Sequence, residues 1–192
     1  MTDANPTRED ALRLLHEYTK GDGLRKHALA VEAAMIACAE KFGGDPVVWG
    51  ITGLLHDFDY ERFPEFPAHP TEGNRILKEH RYPEEIRTAI LGHVPEMNVP
   101  RESTMARALF ACDELSGLVM ACALVRPNGL ADLRSSSVRK KMKDKAFARG
   151  VSREHIVQGA QEAGIDLNDL IDLVIQALRD RSSDLLPDSR GE

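Results

Sequence analysis

Apolar residues recur three and four positions apart along most of the chain, and nowhere does the period-two alternation of a strand persist. The pattern predicts an all-α protein of about eight to nine helices. Thr7 and Asp10 form a capping start ahead of Ala11, Leu12, Leu14, Leu15 and Tyr18, a first helix ending near Gly21. A second, capped by Asp22 and stopped by Gly43-Gly44, carries the stripe Leu24, Ala28, Val31, Met35, Cys38, Phe42, and His27 falls on it. The third begins at Pro46 and runs through Ile51, Leu54 and Leu55 into His56-Asp57.

Phe58 to Pro70 holds three prolines and two further phenylalanine-type anchors, Phe63 and Phe66, a composition that favours an ordered loop. His69-Pro70 then stands at the entrance of a helix, where free N–H groups favour anions. Pro83 opens the next helix, with Ile86, Ala89, Ile90 and His93 on one face. Ser103 caps a long apolar helix to about Val125, in which Asp113 lies amid Ala-Leu-Phe-Ala-Cys. Shorter helices are expected at 136–148, 152–163 and 167–181, followed by a flexible polar tail over 182–192. The length suits one domain, here 1–181.

Two of these placements demand chemistry. A carboxylate in an apolar helix costs several kcal/mol unless it is paired or binds a cation. Imidazole with carboxylate is a common ligand set for divalent transition metals. The His56-Asp57 doublet and Asp113 therefore point to a metal site, with a buried salt bridge as the competing account of Asp113. His16, His80 and His155 lie among polar residues and are expected to be exposed or structural.

Composition narrows the classes. A net charge of -6 argues against general nucleic-acid binding, which depends on neutralising phosphates. Within that balance, 131–151 is locally basic through Arg134, Arg139, Lys140, Lys141, Lys143, Lys145 and Arg149. Lys140, Lys141 and Lys143 could reach substrate phosphates if their helix folds over the site, or could form a solvated face. No apolar run approaches the 18 residues of a membrane span, so no membrane association is expected. Met1 to Asp10 lacks the features of a secretory signal, which suits a cytoplasmic protein. Cys38, Cys112 and Cys122 have no C-x-x-C spacing and sit in apolar helices, as core thiols do.

In order, the inward polar residues are His27, His56-Asp57, His69, His93 and Asp113. This arrangement resembles the HD-domain superfamily of metal-dependent phosphohydrolases over about 23–125, with 131–181 as a C-terminal helical extension similar to a small group of predicted bacterial HD hydrolases. The resemblance implies an HD-type helical bundle in which His27, His56, Asp57 and Asp113 hold one divalent metal. It also implies a second ion on His69 and His93, bridged by Asp57. The ion could be Mn, Fe, Mg, Co, Ni or Zn. Phe58 and Asp59 replace the Ile-Gly often found after the doublet, and no Gly-Tyr-Pro signature of cyclic-dinucleotide phosphodiesterases is present.

The implied activity is hydrolysis of a small phosphate ester, a nucleotide foremost, by metal-activated water. Asp57 would be central to it, and Asp59 could orient the water, support a ligand or simply serve the turn. With a single metal, His69 or His93 could instead contact phosphate or act as an acid. The alternative is a non-catalytic HD module that binds a nucleotide or protein partner around a structural metal.

Overall fold

The computed structural model describes residues 6–186, and among these every regular element is helical. In chain order they are α1 (Arg8–Tyr18), α2 (Asp22–Phe42), α3 (Pro46–Leu55), α4 (Ala68–Glu79), α5 (Glu84–His93), a 3-10 turn (Pro95–Met97), α6 (Thr104–Leu124), α7 (Ser135–Met142), α8 (Arg153–Ala163), α9 (Leu167–Asp180) and the single-turn α10 (Ser182–Leu185). The ends follow local chemistry. Thr7 and Asp10 close a reciprocal capping box on α1, and the Asp45, Ser103, Ser152 and Asp166 side chains accept amide hydrogens at the starts of α3, α6, α8 and α9. Gly43 ends α2 at φ +74°, a left-handed turn that glycine adopts without a Cβ penalty.

Helices α2 and α6, the two longest, form the centre; α3 and α9 pack on α2, and α5 and α8 on α6. Leu54, Leu55, Leu109, Leu115 and Met35 are fully buried there, and each such side chain contributes roughly 1.5–3 kcal/mol by leaving water. Two glycines set the close approaches. A Cβ on Gly53 would lie 2.8 Å from the Val31 carbonyl oxygen, and one on Gly159 would lie 2.6 Å from Ala111 Cα. They let α3 and α8 press against α2 and α6, which fixes the end of α3 beside both long helices.

Several boundaries differ from those expected. Gly21, not Asp22, precedes α2, because Glu61 Oε2 accepts from the amides of Lys20 and Gly21 at 2.9 and 2.8 Å and so orders the approach to the first turn. Asp22 instead pairs with Lys26 at 2.9 Å. The basic helix stops at Met142 rather than Ala148. The Arg153 guanidinium gathers the carbonyls of Phe147, Ala148 and Val151 and holds 143–151 as a loop, with Ala148 at φ +44°.

The expected flexible tail begins as α10, with Leu185 buried, because it packs back on α2 and α9. Residues 187–192 of that expected tail lie outside the described residues. At the same edge Glu32 is 1% exposed and held by Arg8 at 2.5 and 2.8 Å and by Arg181 at 3.5 Å, joining α1, α2 and the end of α9. No helix among the described residues is long and apolar enough to cross a membrane.

Candidate metal centre

Five elements converge on one point. His27 lies in the second turn of α2, His56 is the residue that ends α3, and Asp57 follows it. His69 has extended backbone (ψ 129°) just before Pro70, consistent with the steric demand of proline on the preceding residue, so its ring leaves the helix it introduces. His93 is the last residue of α5, and Asp113 lies midway along α6.

Asp57 stands between two groups. Its Oδ2 is 3.4 Å from His56 Nε2, which is 3.3 Å from Asp113 Oδ1, and the same Asp113 oxygen is 3.0 Å from His27 Nε2. Its Oδ1 is 3.3 Å from His69 Nε2 and 3.1 Å from His93 Nε2. Ligand atoms of His27, His56 and Asp57, of His56, His93 and Asp113, and of Asp57, His69 and His93 all fall within 4.8 Å of one another in each set. All six residues singled out by the sequence are thus together.

The rings are held from behind. His56 Nδ1 donates to the Gly53 carbonyl at 2.8 Å, His93 Nδ1 to that of Ile90 at 2.5 Å, and His69 Nδ1 to Asp59 Oδ1 at 2.9 Å. A carbonyl or carboxylate only accepts, so each Nδ1 carries a proton, and a neutral ring would present its Nε2 lone pair to the cluster, the tautomer that a metal requires. His56 Nε2 is buried without a hydrogen-bond partner and faces two carboxylate oxygens. A neutral imidazole would aim its lone pair at negative charge, so the arrangement calls for a cation there.

The titration of the metal-free cluster reflects the same demand. Burial opposes charge on His56, but Asp57 and Asp113 outweigh it and hold the imidazole well above its ordinary value. Burial likewise opposes ionisation of Asp57 and Asp113, yet the facing imidazoles keep both well below the usual carboxylate range. For His69, burial is outweighed by its bonds to Asp57 and Asp59, which push it up to about 9. A site that holds protons against burial has the electrostatics and the donor set for a divalent ion, and these residues fit one.

The remaining expected site residues divide. Asp59 is 1% exposed, with Oδ1 on His69 and Oδ2 accepting from Gly73 N–H at 2.9 Å, so both oxygens are occupied within the fold. It supports the His69 ring from behind. Lys140 and Lys141 line a separate concavity of about 390 Å³ with Cys122, Val125 and Leu133. Cys122 is nine residues beyond Asp113 on α6, about 13–14 Å along its axis. Lys143 lies past the end of α7 and is exposed. The structure does not bring these lysines into the histidine cluster, since α7 packs on α9 and the far end of α6.

His16 and His80 are exposed as expected, whereas His155 is half-buried, 5.4 Å from the Phe110 ring and 3.9 Å from Glu114. Cys38, Cys112 and Cys122 are buried, the first two with sulfurs 3.4 Å apart. Sequence reading passed over Glu114. Beside Asp113, it accepts from Ser152 N–H at 3.1 Å, and burial together with the Asp113 charge pushes its carboxyl up to about 7. It also passed over Gly73, where a Cβ would lie 2.6 Å from the Asp59 carboxylate. A glycine directly after a Thr-Glu pair gave no distinguishing pattern.

Compared with known families, the HD domain model matches residues 24–118, a span that contains all six clustered residues. No curated protein and no solved structure matches the chain.

Proposed function

The chain belongs to the HD-domain superfamily, and on that premise we propose that it is a metal-dependent phosphohydrolase acting on a nucleotide or another small phosphate ester. The observation that carries this reading is the division of Asp57, with one carboxylate oxygen toward His56 and the other toward His69 and His93. A carboxylate so placed is suited to bridge two divalent ions, one held with His27, His56 and Asp113 and the other with His69 and His93. Such ions supply positive charge at phosphoryl oxygens and acidify water toward neutrality.

The protein's own part is positional. Gly53, Ile90 and Asp59 fix three imidazoles by their Nδ1 atoms, so their donor atoms need little reorganisation when a cation arrives. The cluster opens on one side: the side chains of His27, Asp57 and Asp113 are 23%, 24% and 20% exposed, against 0% for His56 and 4% for His93. Substrate would approach across that open side. Tyr60, exposed and edge-on to His69 with ring centroids 5.3 Å apart, offers a flat surface nearby that suits a nucleobase.

The test is metal analysis of protein purified without chelator, followed by phosphomonoesterase and phosphodiesterase panels with Mn²⁺, Fe²⁺, Mg²⁺, Co²⁺ and Ni²⁺. Metal-dependent turnover abolished by Asp57→Ala is expected. Less than about 0.2 metal per chain after refilling would overturn the metal site. Stoichiometric metal without turnover would favour a binding module instead.

A further inference from the structure

The concavity between the far end of α6 and α7 has a volume of about 390 Å³, within the range of roughly 300–1,000 Å³ usual for small-molecule sites. Its walls are of two kinds. Cys122, Val125 and Leu133 make one side apolar, and Val125 is 61% exposed. From α7, Ser137, Lys140 and Lys141 line it at the i, i+3, i+4 spacing of a single helix face. The face by which a helix packs on its neighbours is ordinarily apolar, and on α7 the fully buried Val138 fills that role. The lysine face is left to the concavity. Every lining residue lies beyond the stretch matched by the HD domain family.

The charge there is positive. Neither Lys140 nor Lys141 forms an ion pair among the described residues; Lys141 Nζ instead lies 4.4 Å from the centroid of the Phe147 ring. Arg126 also lines the concavity but is paired with Asp132 at 2.9 Å. The Arg153 guanidinium is bonded to carbonyls, so no carboxylate neutralises it. Its field reaches the same place: burial pushes the Cys122 thiol up, and Lys141, Arg126 and Arg153 each pull it back. Asp144 is the carboxylate in the lining, and it already accepts from the Ala146 amide at 3.0 Å. Lys140, Lys141 and Arg153 thus stand against Asp144 and the ends of α6 and α7, each end amounting to about half an elementary charge. The excess is close to one positive charge.

We propose that this concavity is a second binding site, for a small organic monoanion that carries one acidic head group on an apolar body. The Lys140 and Lys141 ammonium groups and the Ser137 hydroxyl meet the head group, and Cys122, Val125 and Leu133 meet the body. A multiply charged nucleotide would bring more negative charge than this rim neutralises and set it against an apolar wall. The site is separate from the metal cluster, since Cys122 lies nine residues beyond Asp113 on α6, and it does not depend on the phosphohydrolase reading.

Isothermal titration of the full chain, as purified, with octanoate tests the site, with octylamine and inorganic phosphate as controls. One octanoate per chain is expected at a Kd of about 1 mM or tighter, and at least about tenfold tighter than either control. Lys140→Met combined with Lys141→Met removes both charges and keeps unbranched stems, and it should weaken octanoate at least about tenfold. Asp57→Ala should leave the affinity within about twofold of wild type, because the metal cluster takes no part. If the double lysine variant does not fold, Val125→Asp, at an exposed position, brings a repelling charge to the apolar wall and carries the same expectation. No binding at about 10 mM octanoate would overturn the proposal. So would octylamine or phosphate binding as tightly as octanoate, or unchanged affinity in the folded lysine or Val125 variant. Loss of binding in folded Asp57→Ala would place the ligand in the metal cluster and overturn it as well.

Discussion

Asp57 Oδ1 lies 3.1 Å from Nε2 of His93, a residue 36 positions later on another helix. The contact joins the end of α3 to the end of α5, and Asp57's other oxygen faces His56 at 3.4 Å. One side chain therefore links both halves of the cluster. Asp57→Ala should remove metal from both halves, whereas His69→Ala should reduce occupancy in one half and leave the other. Metal content per chain, read by elemental analysis after refilling and desalting, distinguishes these outcomes; equal loss in the two variants would refute the division.

Asp59 acts through His69. Asp59→Ala frees His69 Nδ1 and leaves the Gly73 amide buried without an acceptor. Metal affinity is expected to weaken by roughly 10–100-fold, and stability to fall by about 1–3 kcal/mol. Gly73→Ala should reproduce the affinity loss without removing the carboxylate, because its Cβ would stand 2.6 Å from it. Metal titration and urea unfolding on both variants check the pair. Unchanged affinity in Gly73→Ala would contradict the positioning role of Asp59.

Acidity offers a separate test on chelated protein. The pKa of His69 is raised to about 9 by Asp57 and Asp59 against the effect of burial, so its charged form stabilises the fold. That contribution is complete below its unfolded value near 6.5 and is lost as pH rises through about 9. The melting temperature of metal-free protein should therefore decline between pH 6.5 and 9.5, and by less in His69→Gln. Metal must displace such protons, so metal affinity should rise over the same interval.

Glu32 gives a prediction away from the site. It is 1% exposed and held by Arg8 and, more distantly, by Arg181. Removing one partner of a buried ion pair typically costs about 3–5 kcal/mol. Arg8→Ala should cost somewhat less, since Arg181 remains at 3.5 Å and Arg8 is itself partly exposed. Denaturant unfolding of Arg8→Ala and of Arg8→Ala with Glu32→Leu checks this. The double variant should recover stability, because the unpaired charge is gone.

Most of the helices, and six polar residues placed on or beside their apolar faces or at their ends, are legible in the chain. Helical periodicity, caps such as Thr7 and Ser103, and stops such as Gly43 are local, so they are legible without tertiary contacts. His27, His56, His93 and Asp113 could be recognised because a polar residue on an apolar stripe must find a partner when buried. Tertiary structure alone decided what each partner is. Asp59 could serve a turn, a water or a ring, and only the approach of α4, permitted by Gly73, assigns it to His69. Lys140 and Lys141 were basic in any fold, but the docking of α7 against α9 places them in another concavity. Glu114 and Val151 have no local pattern at all, because their environment is made by a loop whose carbonyls Arg153 collects. Patterns confined to one helix turn are written in the chain, whereas the direction of a side chain toward a distant element depends on how closely the helices approach.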